Sequence, residues 1–204
     1  LTLFRKVWAV YGVLLFLLMG LLSFPIMLAN MALTPGKRAL RRNIWYLHHV
    51  LGPTFLRLTG IRYRVYGREL FDPHGSYVIV ANHSSSVDFV LNGAAFPGIF
   101  RFLAKQELRK VPIFGWIVRK MCLIVDRKSA ISRARSVVAL KKELEEGVSV
   151  LIYPEGSRNR SGEPLSEFYD GAFRVAIQTG AAILPLTIAN IRNVSVAAQS
   201  VDLS

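Results

Sequence analysis

Only 19% of the 204 residues are charged, yet the formal net charge is +13, and 52% of the chain is hydrophobic. Such a composition excludes intrinsic disorder. One cysteine, Cys122 in an apolar run, excludes a disulfide framework and a Cys-based zinc site, and fits a reducing compartment. The length allows one domain with a real core plus an appendage.

The charge is unevenly placed. No acidic residue precedes Glu69, whereas Arg5, Lys6, Lys37, Arg38, Arg41, Arg42, Arg57, Arg62, Arg64 and Arg68 all do. This basic third also holds the most apolar segment, and that pairing points to anionic membrane lipids as a partner. A nucleic-acid partner would not need the apolar neighbour, and no nucleic-acid motif accompanies the charge. Val7 to Leu33 runs 27 residues without a charge, about 40 Å as a helix against a hydrocarbon core of roughly 30 Å. It is too long for the apolar core of a signal peptide and lacks a small-x-small cleavage site. Leu1 in place of Met fits a trimmed sequence.

Two topologies fit this segment. It can span the bilayer, with the four basic residues after it outnumbering the two before it and holding the rest of the chain in the cytoplasm. Alternatively it is one arm of a hairpin dipping into a single leaflet. The second arm is then residues 38–59, with Ile44, Trp45, Leu47, His48, Leu51, Phe55 and Leu58 as an apolar stripe at helical spacing. The hairpin is the preferred reading. His48 and His49 lack a third ligand at metal spacing and read as interfacial helix residues.

From Gly60 the pattern becomes short strands alternating with helices. Ile61–Tyr66 reads as a strand with alternating Arg, and Asp72-Pro73-His74-Gly75 as a turn. Tyr77–Ala81, Phe100–Ala104, Met121–Val125, Val148–Tyr153 and Ala182–Ile188 follow as strands. Helices are expected from Phe89 to Phe96, over Pro112–Val118, from Ser129 to Glu146 with Gly147 as its stop, and over Phe168–Thr179. The expected fold is α/β, a mixed, largely parallel central sheet flanked by helices and preceded by a two-helix membrane-associated segment. The division falls at residues 1–59 and 60–204. In such sheets ligands gather beyond the strand carboxyl ends. His83, Lys105, Asp126-Arg127 and Pro154-Glu155 all lie just past predicted strand ends.

The stretch Asn82-His83-Ser84-Ser85-Ser86-Val87-Asp88 lies between a strand and a helix, and its serine hydroxyls suit helix N-capping. Within one regular helix a five-residue step separates two side chains by about 140°. His83 therefore meets Asp88 only if it sits in the turn and folds back over the first helical turn. A histidine held this way by a carboxylate has one ring nitrogen fixed as donor and the other free as a base. Alone, the pattern reads equally well as a histidine closing a turn. Downstream, Tyr153-Pro154-Glu155-Gly156-Ser157-Arg158 joins a glycine that permits close backbone approach, a hydroxyl, and a planar guanidinium suited to phosphate.

Together and in this order the segments resemble the glycerolipid acyltransferase family, most closely its bacterial 1-acyl-sn-glycerol-3-phosphate acyltransferases. Asn82-His83 with Asp88 is similar to the family's first, catalytic motif, and Ile124-Val125-Asp126-Arg127 to its second. Tyr153 to Arg158 resembles the third, with Tyr for the usual Phe and Ser for the usual Thr, and Ile183 to Ile188 the fourth. Ala104-Lys105-Gln106-Glu107-Leu108 before Val-Pro-Ile-Phe-Gly is also typical of the family. The resemblance covers about residues 60–190. Tyr169-Asp170 departs from it, since many relatives carry a basic residue before the Gly-Ala pair, and this leaves the acceptor head group open.

The resemblance implies an acyltransferase that makes phosphatidic acid from a lysophospholipid acceptor, 1-acylglycerol 3-phosphate. His83 would be the general base and Asp88 its orienting partner. Lys105, Arg127, Glu155, Gly156, Ser157 and Arg158 would bind substrate. It implies no metal and no resident cofactor, with acyl-CoA or acyl-carrier protein as the thioester cosubstrate. The expected location is the cytoplasmic face of the cell inner membrane. Alternatives are a sibling acyltransferase for glycerol 3-phosphate, another lysophospholipid or an amino-acid lipid, and a non-catalytic basic membrane-binding module. A serine hydrolase is disfavoured, because Gly147-Val148-Ser149-Val150-Leu151 lacks the second glycine of a nucleophile elbow.

Overall fold

Five short strands, all parallel, form the centre of a computed structural model that describes residues 2–72, 74–110, 114–125 and 130–191. They are β1 (Val78–Ala81), β2 (Phe100–Lys105), β3 (Leu123–Val125), β4 (Ser149–Ile152) and β5 (Ile183–Leu186), in the order β3-β2-β4-β1-β5. The crossovers contain α4 (Asp88–Ala95), α5 (Phe114–Met121), α6 (Ala130–Glu145) and α7 (Gly171–Thr179). A parallel sheet covered on both faces needs strands that are apolar on both sides. In β1 and β4 that is met: Val78, Val80, Val150 and Ile152 pack under α6 and α7, while Ile79, Ala81 and Leu151 pack on the other face with Phe96 and Phe100. Pro185 sits in β5, an edge strand, where a missing N–H is tolerated.

The sheet is parallel throughout its described pairs, because Ile61–Tyr66 joins no ladder. Those residues run without regular structure after α3 (Gly52–Leu58), which ends at left-handed Gly60 with Ile61 N–H donating to Leu56 C=O at 2.8 Å. Alternation of Arg with apolar residues gives Ile61–Tyr66 a strand's period, but only Ile61 is buried, and no neighbouring edge pairs with it. Parts of the expected Pro112–Val118 and Ser129–Glu146 helices lie outside the described residues.

The N-terminal segment is two helical arms. α1 (Thr2–Leu33) is long and apolar enough to cross a membrane, and turns through Pro35 into α2 (Gly36–Tyr46). A π-helical turn, Leu47–Leu51, then leads into α3. A polar latch holds the arms together: Asn30 Nδ2 donates to Ala39 C=O at 2.9 Å and to Asn43 Oδ1 at 2.7 Å. Further along, Phe16 packs edge-on against Phe55 and Phe89. Leu14, Leu17, Leu18, Leu21, Leu22 and Ile26 face outward. The arms also share a core with α4, where Phe55, Leu56 and Ile61 meet Val90, Leu91 and Ala94. His48 is buried in this interface, its ring 4.3 Å from that of Phe100, rather than lying at an interfacial surface. The π-helical turn changes which face His48 presents, and Gly93, where a Cβ would stand 3.0 Å from His48 Cδ2, makes room for its ring.

Arg101 ties three elements on the other side of the sheet. Its guanidinium is ion-paired with Glu143 and donates to the carbonyls of Lys120, Met121 and Cys122, closing the carboxyl end of α5. Removing one member of a buried pair strands the other charge. Arg101→Ala is therefore expected to destabilise the protein by about 3 kcal/mol, read as a lower urea midpoint at unchanged slope. The double variant Arg101→Met/Glu143→Leu should regain most of that loss.

Candidate active site

The register of β1 on β4 builds the site. Val80 pairs with Ile152, so three residues on, His83 stands opposite Glu155. There the Glu155 carboxylate accepts the backbone N–H of His83 at 2.7 Å, and His83 C=O accepts the N–H of Asn159 at 2.7 Å. On the β5 side Ala81 pairs with Leu186, and the Asn82 side chain extends the ladder: its Nδ2 donates to Ile188 C=O at 2.9 Å and its Oδ1 accepts Ile188 N–H at 2.8 Å. The turn is thus clamped on both sides before any chemistry is considered.

Within it, His83 Nδ1 lies 2.9 Å from Asp88 Oδ2. The same oxygen accepts the backbone N–H groups of Ser84 at 2.7 Å and Ser85 at 2.8 Å. Two backbone N–H donors on that oxygen hold it as an acceptor, so His83 Nδ1 is placed to donate to it, which leaves Nε2 with a lone pair. Asp88 is fully buried, whereas the His83 side chain is 21% exposed. A buried carboxylate orienting a partly exposed imidazole is the arrangement a general base requires. The serines do this differently from simple caps. Val87 is the N-cap of α4 with no side-chain cap bond, and Asp88 reaches back to the turn amides instead; only Ser85 Oγ accepts a nearby amide, Val87 N–H, at 3.2 Å.

Of the residues expected to bind substrate, Arg158 is held at this turn, its Nη1 donating to Ser86 Oγ at 2.9 Å. Gly156 takes a left-handed conformation (φ 70°) in a turn closed by its N–H on Tyr153 C=O, and Ser157 is exposed beside it. The Glu155 carboxylate is occupied by the His83 amide and by the N–H and hydroxyl of Ser166, so it braces the loop from below. Lys105 ends β2 at the same carboxyl edge of the sheet, with its side chain outside the described residues; Asp126 and Arg127 also lie outside them.

Asn92 and Asn159 had no role in the sequence reading, and Tyr153 entered it only as a strand end and a motif position. Tyr153 stacks on the His83 ring with centroids 4.1 Å apart and planes at 15°. Asn92, one helical turn after Asp88, donates to Tyr153 Oη at 3.0 Å. Asn159 closes the loop around residues 159–163. A tyrosine directly after an apolar strand and a polar Asn92 on the buried face of α4 were the available signals.

An apolar cleft of about 970 Å³, counted with its open side, lies beside α4, the helix that Asp88 begins. Phe89 and Val90, the residues after Asp88, line it together with Phe16, Gly20 and Phe55 from the helical arms and Phe102 from β2. Cys122 also borders it, and burial pushes its thiol up to about 11, so it is no thiolate nucleophile at neutral pH.

Comparison with known proteins accords with this geometry. The Acyltransferase family model matches residues 62–189. The chain is 35% identical over 139 residues to the 1-acyl-sn-glycerol-3-phosphate acyltransferase of Borreliella burgdorferi, covering 68% of this chain and 55% of that protein. It is 33% identical over 144 residues to 1-acyl-sn-glycerol-3-phosphate acyltransferase alpha of Homo sapiens, covering 67% and 48%. The chain spans about half the length of these curated relatives. Its fold matches the crystal structure of the 1-acyl-sn-glycerophosphate acyltransferase PlsC from Thermotoga maritima, with a TM-score of 0.71 at 24% identity over 89% of this chain and 74% of that one. The family match takes in every strand of the sheet and the whole His83–Asp88 turn, and this chain belongs to the acyltransferase family.

Proposed function

We propose that this chain transfers a fatty acyl group from a thioester donor, acyl-CoA or acyl-carrier protein, to the sn-2 hydroxyl of 1-acylglycerol 3-phosphate, making phosphatidic acid. The observation that carries this reading is the 2.9 Å contact of His83 Nδ1 with a buried carboxylate, which leaves Nε2 uncommitted on a side chain that is 21% exposed. The named relatives act on that acceptor.

In this mechanism His83 Nε2 takes the proton of the acceptor hydroxyl as its oxygen attacks the thioester carbonyl. The new C–O bond forms, the C–S bond breaks, and the imidazolium returns the proton to the departing thiolate. Asp88 stabilises the transient imidazolium, and positioned general bases of this kind contribute about 10²–10⁴-fold. No side chain is acylated. Arg158, Lys105, Arg127, Ser157 and the Gly156 turn receive the glycerol phosphate. Glu155 supports them through the loop, since a carboxylate facing a phosphate would repel it. The acyl tail lies in the apolar cleft beginning at Phe89. The helical arms, with an outward apolar face and basic residues beside it, seat the protein as a hairpin in the cytoplasmic leaflet of the inner membrane, where acceptor and product reside.

Thiol release from each donor with lysophosphatidate tests the reading. His83→Ala should lower turnover by about 10³-fold while vesicle binding is retained; wild-type rates in the variant would sink it. Arg158→Ala should raise the acceptor KM by roughly tenfold with a smaller change in kcat, as expected for a lost charge-assisted contact to phosphate. A Cβ at Gly20 meets nothing within 4 Å, so Gly20→Leu fills the cleft without a backbone clash. It should slow transfer of long chains selectively, measured as the ratio of kcat/KM for long and short acyl donors.

A further inference from the structure

Asp88 spends one oxygen on three donors, and its other oxygen, Oδ1, is buried with no hydrogen-bond partner. Asn92 Oδ1 is equally buried and unpartnered. A buried carboxylate oxygen without a donor is a costly arrangement, so a spare donor beside it requires an account. Tyr153, stacked on His83 and bonded to Asn92 one helical turn from Asp88, carries such a hydroxyl. Its Oη accepts from Asn92 Nδ2 at 3.0 Å, which leaves its own proton uncommitted among the described residues. Its ring lies flat on His83, and burial, with the nearby Asp88 charge as the smaller cause, pushes the Tyr153 hydroxyl well above the ordinary phenol range. The hydroxyl therefore stays protonated and available. Offered a choice between a neutral amide oxygen and a carboxylate, an O–H donor makes the stronger bond to the charge.

We propose that Tyr153 is a positioning residue for the His83–Asp88 pair: its ring fixes the plane of the imidazole, and its hydroxyl proton is directed, across one water or by a small rotation, at the unpartnered oxygen of Asp88. A hydrogen bond donated to Asp88 draws charge from the carboxylate that steadies the His83 imidazolium. Tyr153 thereby tempers the base as well as aligning it. This rests on the reading of His83 as a general base. The other charged groups facing the pair among the described residues are Glu155, bound to the His83 and Ser166 amides, and Arg158, bound to Ser86 Oγ. Neither touches the Tyr153 hydroxyl, so removing that hydroxyl isolates its effect.

The test is titration of the histidine rings by NMR in the full chain in detergent micelles, with the His83 signals assigned by their loss in His83→Ala. Tyr153→Phe keeps the stacked ring and removes the donor, so the His83 midpoint should rise by about half a pH unit, roughly threefold in proton affinity. The acid limb of kcat/KM should rise equally, at unchanged acceptor KM. Replacing the chain's tyrosines with 3-fluorotyrosine strengthens the donor without changing the packing and should move the His83 midpoint down. Opposite shifts confined to His83, with His49 and His74 unmoved, support the proposal. An unchanged or lowered His83 midpoint in Tyr153→Phe, or a shift shared by all the histidines, would overturn it. Failure of the wild-type chain to release thiol from any donor would count against acyl transfer alone, because the titration midpoint does not depend on turnover.

Discussion

Asp88 Oδ2 receives the imidazole of His83 and the amides of Ser84 and Ser85, and this convergence fixes the shape of the turn. Asp88 is fully buried, and the amides it gathers satisfy the oxygen that faces the imidazole. The imidazole above it is then locked in one tautomer. Each remaining feature of the site keeps this turn in place: Glu155 and Asn159 grip the His83 backbone from the β4 side, and Asn82 grips the β5 side. Displacing any of these would move the imidazole relative to Asp88.

The sheet supplies that rigidity because its strands are parallel and adjacent. β1 and β4 are far apart in sequence but neighbours in space, and their register alone brings His83 level with Glu155. Two loops that leave the same edge side by side can brace one another. An antiparallel neighbour would have sent its loop to the opposite edge. The apolar cleft is built on the other scale of the molecule, between the sheet face and the helical arms, and Phe89 and Val90, which follow Asp88, line it. The polar turn and the apolar cleft thus share one helix, α4.

The sequence alone carried the α/β class, the long apolar helix and the placement of five strands, which follow from local periodicity without any distant contact. For His83 and Asp88 the spacing set only the condition for their meeting, left a turn-closing histidine equally open, and the family resemblance supplied the pair. Ile61–Tyr66 has the period of a strand yet forms none, because a ladder needs a free edge as well as a pattern. The serines have the chemistry of caps, yet Asp88 serves the turn amides, since an ionised acceptor outcompetes a hydroxyl. His48 was assigned to a surface and lies in the core, because the π-helical turn rotates it out of the α-helical period that places such stripes.

What only the tertiary structure decided is the support of the His83 imidazole: Tyr153 on its face, Asn92 behind it, and Glu155 turned to the His83 amide instead of outward. These contacts join residues roughly sixty or seventy positions apart. Their partners depend on strand order and register, which result from how whole surfaces pack and which no short window of residue types encodes.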